Sequence, residues 1–436
     1  MDNLSKNKLP KVLAIGINAW REDATSHTLM NIFSCWDPSR LALLYTRADL
    51  PNTKVCSRFF QISENDVLKS IFKPWKQTGR EVFNTPTVND KSVEEEHKRY
   101  AKARKKHSYF MSICREMVWS LGHWKSKELK RFIKEFDPDI IFVPIYPTAY
   151  MGKIQRYVKK ITGKPIVCYL ADDNYSYDAC KGFWSRAHRF MLRKQVKYLA
   201  THCKEMFVIV DKEKEETDRI FGTDSVILTK GIDFTNITYK KHMIGNPLKF
   251  VYTGSLVIGR DKTLASIADI LNNLNGNEEK AILEIYSPDT VDEDTMLRLN
   301  NGCSKHCGFI PREKVLEVQQ NADVVIFAEA IEGKDCKAAR LSFSTKITDY
   351  LANGKCVLAV GKEDIAPIDY FRRNDCAIVA TDEKQLEEQI KYIIGNTHVI
   401  EEYGRKAFDS AKRNHDKTIV DQRFIKTMMR LTNGSD

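Results

Sequence analysis

A chain of 436 residues, 42% hydrophobic and 29% charged, is longer than one ordinary core supports and is expected to fold as two globular domains. No stretch reaches the ~18 consecutive apolar residues that span a bilayer, and the first apolar run, residues 12–17, is too short for the core of a signal peptide, so a cytoplasmic protein is expected. The charge of +11 could attract nucleic acid, anionic lipid or a phosphorylated substrate; no nucleic-acid motif with aromatic platforms is present, so nucleic acid is excluded as the partner.

The 11 cysteines are scattered without framework spacing, which implies reduced thiols. Cys303, His306 and Cys307 resemble metal ligands, but no second pair lies near them in sequence and no metal is expected. Two basic stretches stand out: residues 97–107 (HKRYAKARKKH), and residues 181–204, where Arg186, Arg189, Arg193, Lys194 and Lys197 interleave with Phe183, Trp184, Phe190, Met191 and Leu192. A solvated helix face is the ordinary reading of both. The aromatics of the second give it the better claim to peripheral contact with an anionic membrane.

In chain order, residues 11–17 (KVLAIGI) read as a strand, followed by a loop holding Asn18 and a helix capped at Thr25 or Ser26, with His27 on it. Asn18, Thr25, Ser26 and His27 are therefore acceptor-side candidates. Only Gly16 is present where a dinucleotide fingerprint needs three glycines, which argues against a nicotinamide dehydrogenase. Strands are expected at residues 41–45, 140–144, 165–170, 206–210 and 226–228, and residues 64–136 as a helical, basic insertion. Residues 236–247 lose all period and read as a linker.

A second alternating series follows: strands at 248–253, 282–286, 323–328, 356–360 and 377–380, and helices at 264–274 and 311–321, the latter with Pro311 in its first turn. The expected domains are thus residues 1–240, 247–412 and a closing helix, 413–436, crossing back onto the first.

The stretch LSFSTKITDYLANGKCVLAV, residues 341–360, has the chemistry of a phosphate-and-ribose site. Ser342, Ser344 and Thr345 are cap-forming types ahead of helically spaced Ile347, Tyr350 and Leu351. The free amides of that helix start, with Lys346 beside them, favour a phosphate. Asp349, one turn on, could accept from two sugar hydroxyls; an exposed acid on an ordinary amphipathic helix is the alternative. In YTGSLVIGRDK, residues 252–262, Gly254 and Gly259 let the backbone approach a ligand next to Ser255. Arg260 and Lys262 could stabilise charge growing on a diphosphate leaving group.

Taken together, VYTGSLVIGR, CGFIPREKVLEVQQNADVVIFA, STKITDYLANGKCVLAV and VILTKGID resemble the glycosyltransferases of family 4, over residues 207–394. The resemblance implies a GT-B fold of two facing Rossmann-like domains. It also implies transfer, with retention, of a sugar from a nucleotide-diphosphate donor to a glycan or lipid-linked acceptor, without a metal cofactor. It puts Arg260 on the diphosphate with Lys262 as helper, the amides around Ser344, Thr345 and Lys346 on the distal phosphate, Asp349 on the ribose, and the turn at Gly308, Phe309 and Ile310 on the base.

Two departures stand out. Leu341 occupies the position of a further glutamate, whose role could pass to Glu329, Glu332 or Arg340, and Asp349 is one methylene shorter than the usual glutamate. At the strand end in the first domain, where relatives have a histidine, Asp172 or Asp173 could take the acceptor proton, or simply cap a helix. A sugar-nucleotide epimerase on the same fold, and a GT-B module that binds without catalysis, are the alternatives.

Overall fold

The computed structural model describes residues 9–23, 27–85, 109–333, 335–337 and 339–433. Contacts divide the chain into two units: residues 1–209, 214–229 and 421–436 form the first, and 210–213 with 230–420 the second. Among the described residues no helix is long and apolar enough to cross a membrane.

The first unit contains an eight-stranded sheet of β1 (Val12–Gly16), β2 (Leu41–Tyr45), β3 (Arg58–Gln61), β4 (Arg80–Val82), β5 (Ile140–Pro144), β6 (Ile166–Leu170), β7 (Glu205–Val208) and β8 (Val226–Ile227), in the order β4-β3-β2-β1-β5-β6-β7-β8. Every pairing is parallel except β3 with β4. The strands VLAIG, LALLY, IIFVP and IVCYL are buried at every position, which is why their sequences run continuously apolar instead of alternating.

β3 and β4 escape the sequence reading. RFFQ is only four residues long and the three-residue edge strand REV carries no periodic signal; the latter is a strand within the span 64–136 that was expected to be a helical insertion. The first helix, Thr28–Phe33, has His27 at its N-cap; Thr25 and Ser26, read as caps and acceptor residues, lie outside the described residues. The basic run 97–107 lies outside them too.

The closing helix Lys417–Asn433 joins the first unit from Asp421 onward. Phe424 carries that docking: fully buried, its ring lies 5.1 Å from Phe33, 5.3 Å from Trp36 and 5.6 Å from Phe207. Arg430 pairs with the buried Glu205.

The second unit is a six-stranded parallel sheet of β9 (Leu248–Thr253), β10 (Ala281–Tyr286), β11 (Ser304–Gly308), β12 (Val324–Ala328), β13 (Cys356–Val360) and β14 (Ile378–Ala380), ordered β11-β10-β9-β12-β13-β14. The chain winds outward from β9 to β10 and β11, then returns to β12 on the other side of β9. Loops leaving the carboxyl ends of β9 and β12 therefore diverge, and a crevice opens where the winding reverses.

The segment expected to be a linker is strapped onto this unit. Arg405 lies 4.0 Å over the Tyr239 ring, and Asp323 accepts from the Gly245 amide at 3.0 Å with His242 Nε2 2.7 Å from the same oxygen. Its lack of period reflects side-chain anchoring of irregular backbone. The helices Glu293–Leu299 and Ala366–Arg373 and the half-exposed strand β11 (SKHCG) are further elements without a usable sequence signal. All eleven cysteines are free thiols.

Candidate functional site

The crevice between β9 and β12 is lined by residues from three chain segments. After β9, Gly254 takes a φ of +150° and Gly259 one of +74°, so the loop doubles back and places Arg260 at the first position of the helix Arg260–Asn275. After β12 comes Glu329, whose amide donates to the Val360 carbonyl at 2.8 Å and whose side chain is 6% exposed. Arg260 grips that carboxylate with both arms of its fork, Nε at 3.0 Å and Nη2 at 2.7 Å, so a bidentate pair bridges the reversal point of the sheet.

The third segment is the helix Thr345–Ala352. Ser344 is its N-cap, with extended backbone and an Oγ that accepts from the Lys346 amide at 3.4 Å. Gly354, with φ +63°, follows the helix and turns the chain into β13. Lys346 runs back beneath the glycine loop, its Nζ 5.5 Å from the centre of the Tyr252 ring. Burial, and then repulsion from Arg260, push its ammonium down to about 8, against partial compensation from Glu329 and Asp289. Among the described residues no acceptor hydrogen-bonds this ammonium. Two adjacent cations beside a capped helix start have one complementary ligand class, an anion with several oxygens.

Gly254 is fixed by this arrangement, since a Cβ there would lie 1.8 Å from Lys346 Nζ. The long lysine can move aside, but only by withdrawing its charge from the crevice, and the positive φ is strained for any side chain. Gly254→Ala is therefore expected to cost roughly 1–3 kcal/mol of stability. Diphosphate affinity should fall further than that strain explains, as comparing melting curves with calorimetric titrations of a nucleoside diphosphate will show.

The rest of the loop is held by a residue outside the sequence reading. Asp289, just past β10, accepts from Ser255 Oγ at 2.6 Å and from the Leu256 amide at 2.8 Å, while Tyr252 donates its hydroxyl to the Ser255 carbonyl at 2.6 Å. Ser255 is thus tied into the loop's own scaffold. Lys262, two residues beyond Arg260, is exposed, and its charge helps hold the Asp292 carboxyl below its ordinary range.

Asp349 is 42% exposed on its side chain, but one oxygen already accepts from Lys230 Nζ at 2.6 Å, a partner supplied by the VILTKGID segment. Lys230 thus orients the carboxylate while leaving it acceptor capacity for sugar hydroxyls. Of the three stand-ins for the missing glutamate, Glu329 lies in the crevice, Glu332 is exposed, and Arg340 is buried, as is Leu341. Gly308 closes β11 with φ +76°; Phe309 beyond it is 70% exposed and Ile310 partly buried, at the far edge of the sheet from β12. Among the described residues no three His, Cys, Asp or Glu side chains converge as a metal site.

In the first unit, Asn18 is exposed just beyond the carboxyl end of β1 and His27 is partly buried. Asp172, past β6, is exposed, whereas Asp173 is 8% exposed on its side chain and accepts from the amides of Tyr175 at 3.2 Å and Ser176 at 2.8 Å and from Ser176 Oγ. Arg189 lies 4.0 Å from its carboxylate. Asp173 thus staples its own loop, and Asp172 is the more accessible of the two carboxylates.

No family model matches the sequence, and no curated protein matches it. Solved structures do resemble it. HepE from Anabaena in complex with UDP is 11% identical with a TM-score of 0.62, covering 96% of this chain and 99% of that one. Sucrose-phosphate synthase from Thermosynechococcus elongatus is 10% identical with a TM-score of 0.62, covering 98% and 100%. TarM is 8% identical with a TM-score of 0.60, covering 97% and 99%. Likeness at such identity is likeness of fold: the chain has the GT-B fold, with two parallel-sheet α/β domains and a closing helix that returns to the first.

Proposed function

We propose that this chain is a glycosyltransferase that takes a sugar from a nucleotide-diphosphate donor held at the β9/β12 crevice. The observation that carries the proposal is the Lys346 ammonium, without a hydrogen-bond acceptor among the described residues, beside Arg260 at the Ser344-capped helix start. Breaking the bond between an anomeric carbon and a diphosphate leaves negative charge on the departing oxygen. Arg260, Lys346 and the amides of Thr345 and Lys346 would neutralise it, and Asp349, steadied by Lys230, would take one ribose hydroxyl. With these charges in place the reaction is proposed to need no divalent metal. Similar structures solved with UDP and UDP-glucose support a nucleotide-sugar donor.

The acceptor, a glycan or lipid-linked glycan in surface polysaccharide synthesis, is assigned to the first unit around Asn18, His27 and Asp172, and transfer is assigned as retaining. Leu341, buried at 4%, offers no carboxylate and is the observation favouring a module that binds without turnover. Assaying donor hydrolysis and transfer across UDP-, GDP- and ADP-sugars separates the two. Turnover of one donor supports the enzyme, tight binding without turnover supports the module, and no binding at millimolar concentration removes both.

A further inference from the structure

The helix Gly182–His202 presents two faces of opposite character. Ser185, His188, Leu192, Val196 and Leu199 point inward and are buried. The opposite stripe, Phe183, Arg186, Phe190, Lys194 and Lys197, follows the same helical spacing and is exposed, with Phe183 75% and Phe190 54% accessible. Rings and cations thus alternate along one outward line. Lys194 Nζ sits 4.4 Å from the Phe190 ring centre. Trp184, 48% exposed, meets Phe183 and Phe110 edge-on, each at 5.2 Å, which extends the apolar surface to the neighbouring helix Tyr109–Leu121, where Met117 and Leu121 are also exposed.

A helix face that merely meets water has no use for half-exposed phenylalanines and a tryptophan. The composition narrows the occupant. None of the 21 residues of Gly182–His202 is acidic. Arg189 and Arg193 turn away from this stripe to the carbonyls of Asp173 and Tyr175, so the outward charge rests on Arg186, Lys194 and Lys197. A second copy docked through the same face would set cation against cation. Rings at the depth of acyl chains, flanked by cations at headgroup level, match an anionic bilayer surface.

We propose that this face docks on the surface of an anionic phospholipid bilayer, with Phe183, Trp184 and Phe190 inserted between headgroups and Arg186, Lys194 and Lys197 on the phosphates. The inference is independent of the donor site, because the two can fail separately. The full chain is sedimented with vesicles of phosphatidylcholine alone and of phosphatidylcholine mixed with phosphatidylglycerol. Binding to the mixed vesicles is expected, weakened about tenfold or more by Arg186→Glu/Lys194→Glu and by Phe183→Ser/Phe190→Ser. Circular dichroism and donor binding should be unchanged in both variants. A second reading needs no variant: brominated acyl chains should quench tryptophan fluorescence of the wild-type chain. Absence of binding to mixed vesicles, binding that both variants retain, or binding without quenching overturns the proposal, as does a stable dimer that the same variants dissociate.

Discussion

Arg260→Ala is expected to lower sugar transfer by about 10²–10³-fold, because it removes one of the two cations proposed to meet the charge that develops on the diphosphate. It should also destabilise the second unit, since it would strand the Glu329 carboxylate at 6% exposure without its partner. That loss should be roughly 2–3 kcal/mol, less than for a fully buried pair because Arg260 is 21% exposed. The two effects are separable. Arg260→Ala/Glu329→Ala removes the stranded carboxylate and should recover most of the stability without recovering turnover. Glu329→Gln keeps the shape and frees the guanidinium, so donor affinity should hold or rise. If Glu329→Gln proves more damaging to turnover than Arg260→Ala, the carboxylate and not the guanidinium is the chemically important partner. Chemical denaturation and initial rates on the four proteins decide it.

Lys346→Met should cost diphosphate affinity by about 10–100-fold while leaving the fold as stable as before or more so. The sign follows from the protonation states. Lys346 loses its proton near 8 in the folded chain and near its ordinary 10.5 in the unfolded one. Between those values the unfolded chain holds the extra proton, so stability rises with pH across the window. Below 8 both states are protonated and the cost of burying the ammonium is fully present. Methionine removes that cost, so the variant's advantage should be largest near neutral pH and fade towards pH 10. A bound diphosphate acts in the opposite direction, favouring the charged form. Wild-type affinity should hold below pH 8 and fall by up to about tenfold per unit above it, with proton uptake on binding. Titrations in buffers of different ionisation enthalpy measure that uptake. A flat affinity profile from pH 7 to 9 would separate Lys346 from the ligand.

The parts of this protein legible in sequence are those fixed by local chemistry. Continuous apolar runs announced the buried parallel strands, and Ser344 ahead of a helical repeat announced its cap. Gly254 and Gly259 marked a loop that turns tightly, and the loop delivers Arg260 where a helix begins. What sequence did not reveal are partnerships across long separations. Arg260 meets Glu329 over 69 residues and Lys230 meets Asp349 over 119, and no spacing rule encodes either. Asp289 was overlooked because a turn aspartate looks the same whether or not it holds a glycine loop. The hydrogen bonds that Asp173 accepts from Tyr175 and Ser176 were no more legible, since an aspartate at a strand end looks the same with or without them. Short edge strands such as β4 were missed because three residues carry too little pattern to compete with flanking polar sequence.

The most direct measurement is a crystal structure of the full chain soaked with whichever nucleoside diphosphate binds in titration. Phosphate oxygens are expected within about 3 Å of Lys346 Nζ and of the amides following Ser344, with Arg260 turned at least partly towards them. A nucleotide bound elsewhere, or one whose phosphates point to solvent while Lys346 stays unpaired, contradicts the assignment of the β9/β12 crevice as the donor site.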